Sequence, residues 1–249
     1  LIDGKYYSGT SSAILPALAG TTDVGVVIAE NTALITEDTI ISANNHDFDL
    51  KKVTVDGATL TVNGAHSFYS LTLSNNAVLT HPVSTTTTEY SLDVTVTNTL
   101  TVDVSSSIDV TDKGYLGSYR GGNNVPYGRT IGNTTTGGRH LYSAGSYGGL
   151  GGKHSSFSVN GVYGSIFNPD ELGSGGGTGN TTTYGGNGGG LIRITAGDIV
   201  LNGSLRANGG DGHSLYNGGG SGGGVYINTG TLSGTGMITA NGGKQTPNN

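Results

Sequence analysis

Two stretches of this chain repeat one another, and that repeat limits the fold more than any other feature. Residues 188–210 read GGGLIRITAGDIVLNGSLRANGG and residues 222–243 read GGGVYINTGTLSGTGMITANGG. Each copy is a glycine triplet, a short alternating strand, a turn, a second short strand, a third, and Ala-Asn-Gly-Gly. The Asn-Gly-Gly returns at about a 33-residue period, in the range of stacked architectures. No copy buries its own apolar side alone; stacked copies share one continuous core.

The rest of the chain supplies more short strands. Val24–Ile28, Ala33–Thr36, Thr39–Ser42, Lys51–Val55, Thr59–Val62, Ser67–Leu73 and Ala77–Thr80 read as strands, as do Leu92–Val96, Thr99–Val102 and Ser107–Val110. They are rich in Val, Ile, Thr and Tyr, which suit a pleated, half-buried surface. Asp-Gly at 56–57, Asn-Gly at 63–64 and Asn-Asn at 75–76 punctuate them. With no helices between, a sandwich, a barrel or a parallel β-solenoid fits. The repeated three-strand coil selects the solenoid. Ala43-Asn44, Ala207-Asn208 and Ala240-Asn241 each end a strand, and the reading assigns Asn44, Asn208 and Asn241 to a side-chain ladder at a sharp bend. Ile199, Leu201, Leu205 and Ala207 alternate and should point inward, as should Ile238 and Ala240. Ile192 and Ile194 fit the first copy, whereas Val225 and Ile227 read as one residue out of step, the mark of a bulge.

Residues 111–190 differ. Gly-Gly pairs recur at 121–122, 137–138, 148–149, 151–152 and 185–186, interleaved with Tyr115, Tyr119, Tyr127, Tyr142, Tyr147, Tyr163 and Tyr184. Strand signals nearly vanish. A structureless loop of this length is unusual, so the stretch reads as an ordered excursion with tyrosine rings packed on glycine backbone. The shorter loop 209–224 leaves the next coil at an equivalent point, which places both excursions on one side. The chain thus divides into a cap or exchange arm (1–22, with a short helical turn ended by Pro16), N-terminal rungs (23–110), a Gly/Tyr-rich insertion of the same domain (111–190) and C-terminal rungs (191–249).

Composition removes several classes of function. The chain has 249 residues, no cysteine and a net charge of −6 spread without runs. Disulfides and cysteine metal sites are excluded, and a nucleic-acid partner lacks its basic footprint. No apolar run approaches the ~18 residues of a membrane span. The chain opens at Leu1 without a leader and reads as a mature or excised segment. Its tail beyond Ala240 carries no apolar residue to cover a last rung.

The combination GGNGGGLIRITAGDIVLNGSLRANGG (185–210), GSYGGLGG (145–152) and YGSIFNPDELGSGGG (163–177) resembles the glycine-rich right-handed parallel β-helix regions of large secreted and surface-exposed bacterial proteins, over about residues 90–243. The resemblance implies a right-handed parallel β-helix, an extracellular or cell-surface setting, and adhesive or matrix roles. Related solenoids include polysaccharide lyases, hydrolases and phage tailspikes, so fold alone does not settle activity.

Candidates for chemistry are sparse. Asp170-Glu171 is an adjacent acidic pair beside Pro169, and adjacent residues on a strand face opposite ways. His140 and His154 stand in basic loop pairs that could complete an acid/base site. Asp109, Asp112 and Asp211, near strand ends, are the residues that would hold Ca²⁺; no other cofactor is required. Tyr119, Tyr127, Tyr142, Tyr147, Tyr163 and Tyr184 are the best binding surface, for sugars or a protein partner, unless their rings are used to pack the loop. The expected function is a non-enzymatic structural or adhesive protein, self-associating head-to-tail into a fibre. The alternative is a polysaccharide-binding or polysaccharide-cleaving domain.

Overall fold

Period-two alternation of Val, Ile and Leu with polar residues builds nearly every strand of this chain. The structure, a computed structural model, describes residues 12–14, 26–28, 31–139, 141–153, 158–214 and 216–245. β1 (Ser12–Ile14) and β2 (Val26–Ile28) pair antiparallel, so residues 12–14 are strand and not the expected helical turn. The remainder of the 1–22 arm lies outside the described residues. The chain then forms β3 (Thr32–Ile35), β4 (Thr39–Ile41), β5 (Lys52–Asp56), β6 (Thr59–Val62), β7 (Gly64–Phe68), β8 (Ser70–Ser74), β9 (Val78–Thr80), β10 (Leu92–Val102) and β11 (Ser107–Asp109). After residue 110 come β12 (Gly128–Thr130) and β13 (Thr134–Arg139), an antiparallel pair inside the glycine-rich stretch. β14 (Ile192–Leu201), β15 (Ser204–Arg206), β16 (Val225–Ser233) and β17 (Met237–Thr239) complete the order.

Two parallel sheets result, and they are built in step. One runs β16-β14-β10-β8-β5-β3, with β7 also on β10; the other runs β17-β15-β11-β9-β6-β4. Like positions therefore stack in columns. Val53, Leu71, Leu100, Ile199 and Leu232 are successive partners, and so are Leu60, Leu79, Ile108, Leu205 and Ile238. Within the columns Leu71, Leu100, Leu60 and Leu79 are fully buried. Each such side chain contributes about 1.5–3 kcal/mol. The columns end at β16 and β17, where Leu232 is 50% and Ile238 42% exposed. Ile238 and Ala240, expected inside, are exposed because no strand lies over them among the described residues.

Several details depart from the sequence reading. Ser67–Leu73 splits at the exposed Tyr69 into β7 and β8, and both lie along β10. The strands expected at 92–96 and 99–102 join into β10, with the register shift falling between Val96 and Thr99. There Thr97 and Asn98 stand against the single Gly197, a bulge in the ladder. No slip separates the two C-terminal copies: Ile192 faces Val225, Ile194 faces Ile227 and Leu205 faces Ile238, one constant offset.

Candidate functional site: a glycine bundle and its loops

Glycine-rich segments leave both sheets' ends and lie against one another as extended threads outside the strands. Their hydrogen bonds recur every third residue. Gly185 and Gly188 donate to the carbonyls of Ser118 and Tyr115, while Gly186 and Gly189 donate to Gly218 and Ser221. Gly173 and Gly176 donate to Gly189 and Gly186; Gly220 and Gly223 donate to Gly210 and Ala207. A backbone with three residues per turn and no internal bonds offers its N–H groups to different neighbours in turn. The bonds from 186 and 189 to 218 and 221 also set the long insertion beside the shorter 209–224 loop, on one side of the molecule as expected.

Glycine is needed here for proximity. A methyl carbon built on Gly188 would overlap the carbonyl oxygen of Gly173, and one on Gly186 would overlap that of Gly210. Every residue with a side chain would push two threads apart. Polar side chains close the bundle's gaps: Asn187 Nδ2 donates to the Asp112 carbonyl at 3.1 Å, and its Oδ1 accepts from Gly117 N–H at 2.9 Å.

The six tyrosines proposed as a surface are each half-buried, and the ring contacts of four of them fall in separate places. Tyr147 and Tyr163 meet edge to face at 5.2 Å, and Tyr163 donates to the Leu172 carbonyl at 2.6 Å. Tyr142 meets Tyr216 at 6.2 Å in another place. Tyr184 lies under Arg120, 5.1 Å from its guanidinium, and 4.4 Å from the His213 ring. Tyr119 and Tyr127 are half-buried on the 118–128 turn. Burial pushes the Tyr163 phenol well above its ordinary range. The rings of Tyr142, Tyr147, Tyr163 and Tyr184 thus pack against loop neighbours.

The loops also present large apolar side chains outward. Ile166 is 85% and Phe167 87% exposed, with Leu150 and Val162 also exposed. The loops carrying them are tied together by Gly148 N–H donating to Tyr163 at 3.0 Å. The 165–169 turn is fastened to the sheet by Arg193, whose guanidinium donates to Asn168 Oδ1 at 3.1 Å and the Pro169 carbonyl at 2.7 Å and stacks on Tyr226 at 4.6 Å. The sequence showed this as Ile166-Phe167 beside Asn168-Pro169, masked by the more numerous tyrosines.

The acidic candidates have other partners. Glu171 Oε2 accepts from the buried Tyr115 hydroxyl at 3.0 Å, and Glu89 Oε2 lies 3.2 Å from the same hydroxyl. Burial pushes the Glu171 carboxyl up; the Tyr115 hydrogen bond opposes this and the charges of Glu89 and Asp170 add to it. A phenol thus fills the space between these two carboxylates. Asp170 is exposed, beside the Asn168 amide. His140 and His154 lie outside the described residues. Of the calcium candidates, Asp112 is clamped by both terminal nitrogens of Arg120. Asp109 pairs with Arg206 Nε at 3.0 Å, too poorly aligned for a hydrogen bond. Asp211 accepts from Lys244 N–H at 2.6 Å. Asn208 and Asn241 meet, Asn208 Oδ1 accepting from Asn241 N–H at 2.8 Å. Asn44 follows β4 at the opposite end of that sheet.

One cluster escaped the sequence reading. His46, Asp49 and His66 converge, the one such set of three potential metal-ligating side chains among the described residues. Its signal was His66 in Gly64-Ala65-His66-Ser67-Phe68, an inward position once the strand is begun at Gly64 and not at Ser67.

Compared with known proteins, the chain matches no protein-family model, no curated protein and no solved structure.

Proposed function

We propose that this chain is a non-enzymatic structural and adhesive module of an extracellular or cell-surface protein. Its two sheets form the coils of a right-handed parallel β-helix, and copies associate head-to-tail. The observation that carries the reading is the end of the core columns: Leu232 and Ile238 stand half-exposed on β16 and β17, whose outer edges pair with no other strand among the described residues. An unpaired parallel edge with apolar columns behind it is a template for another strand layer. At the β3/β4 end the same columns finish in Ala33 and Thr39, both half-buried, and not in a large apolar side chain. The two ends are unlike, and contact between unlike ends repeats without closing.

The glycine bundle supports the adhesive half of the reading. Its threads hold the 147–152 and 162–168 loops, whose exposed Ile166 and Phe167 are the groups a monomeric surface rarely offers together. A partner surface, including a polysaccharide, would meet these residues first.

Sedimentation velocity over a concentration series tests the proposal. The wild-type chain should grow in steps of one mass unit as concentration rises, and Ile238→Lys, which puts a charge on the open end, should remain a monomer. A wild type that stays monomeric throughout would remove head-to-tail association. Release of unsaturated ends or reducing sugar from a polysaccharide panel would remove the non-enzymatic part.

A further inference from the structure

We propose that His46, Asp49 and His66 bind one divalent transition-metal ion of the zinc, copper or nickel kind. The connection between β4 and β5 brings two of the ligands together. Asp49 N–H donates to the His46 carbonyl at 3.0 Å, and Leu50, in the left-handed region with φ 59°, donates to the Ser67 carbonyl at 2.7 Å. The turn so docked sets Asp49 against His66 of β7. His46 Nδ1 is 2.7 Å from one Asp49 carboxylate oxygen, and His66 Nδ1 is 3.1 Å from the other. One donor atom from each of the three residues lies within 4.8 Å of the others. Around a tetrahedral zinc with bonds of about 2.1 Å, donors sit roughly 3–3.5 Å apart, so small side-chain shifts suffice. The His46 side chain is 63% exposed, which leaves the ion a way in and a fourth position for water.

Packing does not explain His66. Its side chain is fully buried, and its strand neighbours in register are Val94 and then Ile194. An aliphatic side chain fills that column in the layers above, whereas His66 leaves Nε2 without a hydrogen-bond partner. The group that gains from an imidazole here is Asp49. Each of its carboxylate oxygens stands against one ring nitrogen, of His46 and of His66. The result is a carboxylate flanked by two ring nitrogens. Such a set suits zinc, copper or nickel and is poor for calcium or magnesium, which take oxygen ligands. An ion on both Nδ1 atoms moves each ring proton to Nε2, and for His66 that N–H is unpartnered in the core. The expected affinity is therefore micromolar rather than nanomolar. Bound there, the ion pins the 45–50 turn to the layer beneath it.

Isothermal titration of the chelator-stripped full chain with zinc chloride at neutral pH tests the site, with calcium chloride as the control ion. The wild type should bind one zinc per chain and give no heat with calcium. His46→Ala and Asp49→Asn, both on the turn, should each weaken zinc binding by about tenfold or more, while metal-free melting curves verify that they are folded. Cobalt should give the visible bands of a low-symmetry four-coordinate site in the wild type and lose them in both variants. Absence of zinc binding up to millimolar concentration overturns the proposal. So does zinc binding that neither variant weakens, which would place the ion on other histidines.

Discussion

Two leucines in one column measure what a neighbouring layer is worth. Leu100 is fully buried between β8 and β14, whereas Leu232, two layers further on, is half-exposed. Leu100→Ala should cost about 2–5 kcal/mol by urea denaturation, and Leu232→Ala under about 1 kcal/mol in the monomer. His81 adds a pH dependence. It is buried and donates through Nδ1 to the Pro82 carbonyl at 2.6 Å. Burial lowers its pKa from 6.5 to about 4; the Pro82 hydrogen bond opposes this, and Lys113 lowers it further. The folded state thus binds this proton less readily than the unfolded chain does. Stability is intact above pH 6.5 and falls as the pH drops toward 4, by roughly 3 kcal/mol in all. His81→Gln keeps a donor and does not titrate, so its stability measured at pH 7.5 and pH 4.5 should differ by less than that of the wild type. The inward alternation of Ile199, Leu201 and Leu205 was legible because period-two patterning records the face directly. His66 and His81 were not, since a histidine inside a strand looks the same in sequence whether its ring faces solvent or core.

Among the elements, the strands and the glycine threads obey different rules. Strands are specified by side chains, and so most of their positions could be read from the sequence. The threads are specified by the lack of side chains. Runs such as Gly188-Gly189-Gly190 say that backbones approach closely, but no residue pattern records that Gly188 meets Gly173. The hairpin of β12 and β13 was missed for the same reason, since Thr134–Arg139 contains two glycines and no aliphatic residue. Gly188→Ala should destabilise the bundle by about 3 kcal/mol, as overpacking in a closed interior does. Gly149→Ala, where an added methyl carbon meets nothing within 4 Å, should be nearly neutral. Hydrogen exchange at residues 173–189 separates the two variants: exchange should accelerate in the first and match the wild type in the second. Tyr163→Phe removes the hydrogen bond to Leu172 and should cost about 1 kcal/mol by thermal melting.

At the scale of the whole molecule, two sheets grow in step, one layer at a time, and the glycine bundle stands on one side of them. The 33-residue offset that joins Asn208 to Asn241 and Asp211 to Lys244 shows the repeat acting across layers. The repeat was legible as a stacking unit, while the loop surface was not. The tyrosines that drew attention in the sequence are half-buried, and Ile166 and Phe167 are more exposed than any of them. Replacing both with serine should abolish binding to a partner surface and leave the melting temperature unchanged, because neither side chain is buried. The proposed association of unlike ends is tested most directly by negative-stain electron microscopy of the purified chain across a concentration series. The account predicts uniform fibres that lengthen with concentration and are absent for Ile238→Lys. Discrete particles of one size at every concentration would contradict it.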